Sequence, residues 1–102
     1  EDVDVKTFAA YIASGEGVLL DVRTPGEYSS GHIANSTLID FKGSGFKANL
    51  SELDKETPVY VYCRSGGRSG SAARMMHNMG FKAVYNLEGG ILAWNSQGQP
   101  TE

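Results

Sequence analysis

The sequence predicts an α/β fold: a three-layer sandwich in which helices flank a mostly parallel central sheet. Strand-like and helix-like stretches alternate along the whole chain, with no internal repeat, low-complexity tract or linker. The strand-like runs are short and continuously apolar, which suits central parallel strands that are covered on both faces. Because a chain of 102 residues fits one domain and not two, we expect residues 1–102 to form a single domain.

The first predicted elements are a helix and a strand. Val5, Phe8 and Ile12 recur at helical spacing, so the first dozen residues indicate an amphipathic helix. Two glycines then interrupt the helical pattern, and the apolar run 18–22 follows as a short strand.

A second, short helix is predicted to begin after Thr24. Thr24 can cap it, Pro25 suits the first helical position, and Glu27 completes a capping box. Residues 37–39 then predict a second strand, and residues 46–53 predict a modest helix.

The second half of the chain repeats the alternation. Residues 59–62 form the clearest strand, because their β-branched and aromatic side chains fit a pleated, buried surface. A helix over about 68–79 follows, and Gly80 stands where a left-handed C-cap glycine belongs. A strand over 83–87 and a last helix over about 91–97 complete the pattern.

Composition and charge exclude several function classes. The hydrophobic fraction of 40% and the charged fraction of 21% are ordinary for a globular protein. The net charge is −3 and no run of Lys or Arg stands out, which argues against a nucleic-acid or membrane-surface partner. No apolar run approaches the roughly 20 residues of a membrane helix. The sequence leaves the compartment open between the cytoplasm and, if a signal peptide preceded Glu1, the periplasm.

The chain contains one cysteine, Cys63. An intramolecular disulfide and a Cys-rich metal site are therefore excluded, and we expect neither a metal nor a cofactor. A lone cysteine is often only a small buried hydrophobe, so its sequence context has to decide whether it is reactive.

That context predicts a reactive thiolate. Cys63 ends a buried strand, Gly66 and Gly67 follow in a loop, and a helix then begins. Ligands bind at the carboxyl ends of parallel strands. Glycines allow such a loop to curl until its N–H groups point inward, and the helix N-terminus adds further donors. We expect these groups to lower the pKa of the Cys63 thiol and to make its thiolate the catalytic nucleophile.

The rest of the loop is predicted to bind the substrate. Arg64 and Arg68 supply positive charge for an oxyanion, and Ser65 and Ser69 can hydrogen-bond the loop or the substrate. The predicted binding residues are Arg64, Ser65, Gly66, Gly67, Arg68 and Ser69. Cysteine-dependent phosphatases place five residues between Cys and Arg, whereas four separate Cys63 from Arg68. The smaller ring favours a sulfur atom on the cysteine over a phosphoryl group.

Three blocks of the chain together resemble the rhodanese family. They are LDVRTPGEY with GHIANS (20–36), CRSGGRS (63–69), and the stretch from GF to NLEGGILAW (80–94). The likeness extends roughly from Val3 to Pro100 and keeps the family's order of motifs. One departure is local: family members often have Pro-Gly-Ala after Gly-His-Ile, where this chain has Ala34-Asn35-Ser36.

The resemblance implies a rhodanese-like fold and a sulfurtransferase that works by a ping-pong mechanism. The Cys63 thiolate would attack the outer sulfur of a donor such as thiosulfate, sulfite would leave, and a Cys63 persulfide would remain in the loop. Cyanide or a thiol would then accept the sulfur. Since the chain has no second cysteine, the acceptor must be external, either a small molecule or a protein.

Several neighbouring residues are given structural roles. We expect Arg23 to pair with Glu27 beside the loop, Asp21 to be non-catalytic, His32 to lie in a structural turn, and His77 to be exposed or to pack.

Two alternative functions stay open at this point. One is a sulfur carrier with poor thiosulfate turnover, and the other is a phosphatase or arsenate reductase that uses the same thiolate. The size of the chain permits a monomer.

Overall fold

The protein, described by a computed structural model of residues 1–102, has five strands in one sheet and five helices around it. In chain order the elements are β1 (Asp2–Val3), α1 (Val5–Ala13), β2 (Val18–Asp21), α2 (Pro25–Ser29), β3 (Thr37–Leu38), α3 (Phe46–Ser51), β4 (Val59–Tyr62), α4 (Gly67–Asn78), β5 (Val84–Leu87) and α5 (Gly90–Ser96). The sheet order is β1-β5-β4-β2-β3, and every pair of neighbouring strands is parallel. The predicted α/β fold is confirmed, with a sheet that is wholly parallel.

Strand β4 lies at the centre of the sheet and separates two apolar cores. All four of its residues are buried, and because successive side chains point to opposite faces, they divide between the two layers. Val59 and Val61 face the side of α3 and α4, together with Phe46, Leu50, Ala72 and Met76. Tyr60 and Tyr62 face the side of α1 and α5, together with Val5, Phe8, Ile91 and Trp94. This division is the three-layer sandwich that the sequence predicts.

One strand of the sheet is not predicted from the sequence. Asp2 and Val3 form the edge strand β1, which pairs with Asn86 and Leu87 of β5. Two residues are too few to show a periodic pattern, so only the pairing itself reveals this strand. The first helix begins at Val5 and not at the start of the chain, and the other predicted elements have ends that differ by one or two residues from those observed.

The short helix α2 begins as the capping box predicts. The N–H of Glu27 donates to Thr24 Oγ1 (3.3 Å), and the N–H of Thr24 donates to Glu27 Oε1 (2.9 Å). This arrangement fixes the Glu27 carboxylate at the helix start. None of the five helices has the length and apolar character needed to cross a membrane.

Candidate active site

The sulfur of Cys63 lies inside a ring of hydrogen-bond donors. Cys63 directly follows β4 and is almost wholly buried. The backbone N–H of Gly66 donates to its Sγ at 3.1 Å, and the hydroxyl of Ser69 donates at 3.3 Å. The backbone N–H groups of Ser65 and Ser69 are also directed toward the sulfur. The loop therefore has the inward-facing donors that the sequence predicts.

These donors lower the pKa of the Cys63 thiol. Burial acts in the opposite direction, because it disfavours the charged thiolate and raises the pKa. The hydrogen bonds from the side chain and backbone of Ser69, and from the backbones of Gly66 and Ser65, outweigh burial. The result is a sulfur that is shielded from water and stabilised as an anion.

The shape of the loop depends on the backbone of Gly66. Its φ of 108° is left-handed, which glycine adopts without a steric penalty, and it serves as the N-cap of α4. Its N–H points to the sulfur, while its carbonyl accepts a hydrogen bond from Gly70 N–H (2.9 Å) in the first turn of α4. The side-chain amide of Asn86 on β5 also donates to this carbonyl at 3.4 Å.

Helix α5 holds the loop after Cys63 in place through backbone hydrogen bonds. The N–H groups of Ile91 and Leu92 donate to the carbonyls of Cys63 (2.9 Å) and Arg64 (3.1 Å). Gly90 allows this approach, because a Cβ at its position would overlap both carbonyls, and its own φ is 61°. This support is not predicted from the sequence, although the Gly89-Gly90 pair at the start of a helix is a visible signal of it.

The expected pairing of Arg23 with Glu27 is wrong. Both oxygens of Glu27 instead accept hydrogen bonds from Arg68, at 2.7 and 2.9 Å. Arg23 pairs with Asp21, and its Nη2 lies 2.7 Å from Asp21 Oδ2. The capping box directs Glu27 toward α4. Asp21 and Arg23 lie two residues apart, and their side chains form a hydrogen-bonded ion pair with each other. The expected pair does not form because Arg23 pairs with the nearer Asp21, and Glu27 pairs with Arg68, which is 41 positions away in the chain.

The two ion pairs differ in their surroundings. The Asp21–Arg23 pair is buried, with side chains that are 0% and 5% exposed. Burial acts to lower the pKa of Arg23, but the Asp21 carboxylate more than offsets it, so this pKa is raised. The Glu27–Arg68 pair is about one quarter exposed. The hydrogen bonds from Arg68 lower the pKa of Glu27 to about 2, against the weaker opposing effect of burial.

These pairs change the expected charge distribution. The charge of Arg68 is compensated by Glu27, so Arg68 is not a free cation for an oxyanion. Arg64 is exposed and has no ion-pair partner. Ser65 and Gly67 are exposed beside Arg64, whereas Ser69 is wholly buried under the sulfur. The structure thus brings all the predicted residues together in the loop after β4 and the first turn of α4, with Arg64 as the one charge among them that has no ion-pair partner.

Comparison with known families identifies this arrangement. The sequence model of the rhodanese-like domain matches residues 4–97, which include the loop, both ion pairs and the start of α5. The chain belongs to the rhodanese-like domain family.

Two solved structures and one curated relative show how closely this rhodanese-like domain follows its family. A protein from Allochromatium vinosum named a sulfurtransferase is 36% identical over 100 residues, which are 97% of this chain and 92% of that protein. The rhodanese-related protein of Thermoplasma volcanium is 29% identical with a TM-score of 0.86, over 100% of this chain and 97% of that one. A rhodanese-like domain protein from Staphylococcus aureus is 27% identical with a TM-score of 0.82, over 98% and 96% of the two chains.

The two histidines of this rhodanese-like domain lie outside the sulfur ring. His32 stacks on Tyr28 with ring centroids 3.8 Å apart, and its Nδ1 lies 3.0 Å from the Tyr28 carbonyl oxygen. Its backbone exchanges two hydrogen bonds with Glu102, so it joins the C-terminal segment to the turn after α2. His77 is exposed on α4. Neither imidazole has a hydrogen bond to the Cys63 sulfur.

Proposed function

We propose that this protein is a sulfurtransferase that carries sulfane sulfur on Cys63 as a persulfide. The observation that carries the proposal is the ring of donors around Cys63 Sγ, with Gly66 N–H at 3.1 Å and Ser69 Oγ at 3.3 Å. Membership of the rhodanese-like family and the likeness to a relative named a sulfurtransferase support it.

The first half-reaction consumes the donor. The Cys63 thiolate attacks the outer sulfur of a donor such as thiosulfate, the S–S bond of the donor breaks, and its electron pair leaves with sulfite. The persulfide that remains carries a negative charge on its outer sulfur. N–H donors that already face the site stabilise this charge without having to reorganise during the reaction.

The second half-reaction passes the sulfur to an external nucleophile. Cyanide or a thiolate attacks the outer sulfur, and Cys63 leaves as the thiolate that the ring stabilises. No other cysteine exists in the chain, so no internal thiol can resolve the persulfide. A small-molecule thiol or a protein thiol would complete the cycle in the cell.

A phosphatase reaction fits this site less well. A phosphate-binding loop needs an arginine whose guanidinium is free to bind two phosphate oxygens. Arg68 already donates two hydrogen bonds to Glu27, and Ser69 stands where the longer phosphatase ring has its arginine.

The proposal is tested with thiosulfate and cyanide as substrates. The wild type should produce thiocyanate, and Cys63→Ser should produce none. Intact-mass measurement should show the added mass of one sulfur after thiosulfate treatment of the wild type alone. A Cys63→Ser variant that keeps its activity, or wild type that hydrolyses an aryl phosphate instead, would overturn the proposal.

A further inference from the structure

Asn86 is a buried polar residue of β5. It is 4% exposed, and its partner in the register of the central strand β4 is Val61. Because side chains alternate along a strand, Asn86 lies on the same face of β5 as Val84, which packs against the apolar core under α4. An apolar side chain would suit this position, so the asparagine has to be explained by its polar contacts.

The hydrogen bonds of Asn86 fix the orientation of its amide. Its Nδ2 donates to Asp2 Oδ1 at 3.0 Å and to the carbonyl of Gly66 at 3.4 Å. Both partners are acceptors, so they identify this end of the amide as the nitrogen. The other end, Oδ1, is buried and has no hydrogen-bond partner in the protein. Since an unpaired buried acceptor destabilises a fold, the asparagine is a costly residue for the sheet alone.

The contact with Gly66 joins β5 to the loop that surrounds the Cys63 sulfur. The carbonyls of Cys63 and Arg64 accept hydrogen bonds from backbone N–H groups of α5. The carbonyl of Gly66 accepts one from the N–H of Gly70 on α4 and one from Asn86. Asn86 is the one side chain that donates to a backbone carbonyl of this loop.

The backbone of Gly66 needs this restraint. Its φ is 108°, and its N–H donates to Cys63 Sγ at 3.1 Å. A glycine has no side chain to limit its backbone angles, so contacts from outside must fix the direction of its N–H. The two donors on its carbonyl come from different elements, α4 and β5, and together they hold the residue from two sides.

We propose that Asn86 is a positioning residue for sulfur transfer, which holds the Gly66 backbone so that its N–H stays directed at the reacting sulfur of Cys63. This inference rests on the proposed function and adds a residue that makes no hydrogen bond to the sulfur itself. Through Gly66, Asn86 stabilises the Cys63 thiolate before it attacks the donor, and again when it leaves as the acceptor takes the sulfur.

The test replaces Asn86 by valine and follows the alkylation of Cys63 by iodoacetamide as a function of pH. Valine suits a buried strand, and it removes both the amide donor and the unpaired oxygen. The midpoint of alkylation should rise by about half a pH unit, and the rate below the midpoint should fall about threefold, the effect of one long hydrogen bond.

Urea unfolding of the same variant separates positioning from a structural role. The free energy of unfolding of Asn86→Val should equal or exceed that of the wild type, because the unpaired buried acceptor is gone. A residue that only stabilised the sheet would behave in the opposite way: its loss would lower the unfolding free energy and leave the alkylation midpoint in place.

A second variant and a control isolate the contact with Gly66. Asn86→Asp keeps the shape of the side chain but cannot donate, and its negative charge also disfavours a nearby thiolate, so its midpoint should rise at least as far as that of Asn86→Val. Asp2→Ala removes the other partner of the amide, an exposed carboxylate, and keeps the contact with Gly66. Its midpoint should not rise.

The outcomes separate this inference from the proposed function. Below the wild-type midpoint, Asn86→Val should lower kcat/KM for thiosulfate about threefold, and the two proteins should converge at pH values where both thiols are ionised. Absence of thiocyanate formation by the wild type would overturn sulfur transfer, while alkylation would still report on Asn86. An unchanged midpoint in both Asn86 variants, or an equal rise in Asp2→Ala, would overturn the positioning role alone.

Discussion

Glu27 holds Arg68 through both carboxylate oxygens, at 2.7 and 2.9 Å, and this contact joins the start of α2 to the first turn of α4. The residues are 41 positions apart in the chain. The capping box of α2 fixes the carboxylate, and the carboxylate fixes the guanidinium beside the loop that surrounds the Cys63 sulfur. The ion pair thus holds the loop in place, and the Glu27 carboxylate neutralises the positive charge of Arg68 beside the loop.

Glu27→Gln should remove a stabilising effect that depends on pH. The pKa of Glu27 is about 2 in the folded protein against an ordinary value of 4.5. A lowered carboxyl pKa stabilises the fold fully above the ordinary value, and the effect is lost as pH falls toward 2. The pair is about one quarter exposed, and it should contribute about 1 kcal/mol at pH 7, after allowance for solvent screening.

Urea unfolding of wild type and Glu27→Gln between pH 2 and pH 7 measures this effect. The difference in unfolding free energy should shrink as the pH falls below about 4.5. A difference that stays constant over this range would show that Glu27 acts through packing and not through its charge.

Ser69→Ala should make the Cys63 thiolate harder to form. The variant loses the hydroxyl donor 3.3 Å from the sulfur, so the pKa of Cys63 should rise toward the ordinary thiol value. A hydrogen bond to a charged group contributes about 1.5 to 3 kcal/mol, so alkylation by iodoacetamide at neutral pH should slow by about tenfold to a hundredfold.

The pH profile of alkylation identifies the cause. Its midpoint should move to higher pH in Ser69→Ala, while Ser71→Ala, two residues further along α4, should keep the wild-type midpoint. An unchanged midpoint in Ser69→Ala would assign the lowered pKa of Cys63 to the backbone donors alone.

Gly90→Ala should destabilise the protein more than Gly98→Ala. Both glycines have left-handed φ values, 61° and 76°, so alanine costs about 1 kcal/mol or more at either position. At Gly98 the added methyl group meets open space, whereas at Gly90 it overlaps the carbonyls of Cys63 and Arg64. Overpacking of this kind adds about 1 to 3 kcal/mol.

Thermal unfolding and thiocyanate formation should be measured on both variants. Gly90→Ala should lower Tm further and should also lose activity, because α5 supports the carbonyls of the loop. Equal effects of the two substitutions would mean that α5 can move away from the loop at little cost.

Arg23→Met should be far more destabilising than Lys82→Met. Arg23→Met leaves the buried Asp21 carboxylate without its partner, which costs about 3 to 5 kcal/mol. The Lys82–Glu56 pair is about two-thirds exposed, so solvent screens it and its loss should hardly change the free energy of unfolding. Urea unfolding at pH 7 gives both values, and similar losses would contradict the buried character of the Asp21–Arg23 pair.

Local patterns in the sequence determined most of the fold and the position of the Cys63 thiol at the end of β4. The Thr24–Glu27 capping box, the apolar strand 59–62 and the glycines after Cys63 each act over a few residues, so their meaning can be read from neighbours in the chain. The loop geometry could be predicted from the sequence for the same reason, because its hydrogen-bond donors lie within six residues of Cys63 in the chain.

Only the tertiary structure decided the partners of the charged residues and the support of the loop. Arg68 could be matched to Glu27, and Gly90 to the carbonyl of Arg64, only after α2, α4 and α5 had been placed around the sheet. The edge strand β1 also has no local pattern and exists through its pairing with β5. Ion pairs and close backbone contacts join residues that are distant in sequence, and their geometry depends on packing that no short stretch of sequence encodes.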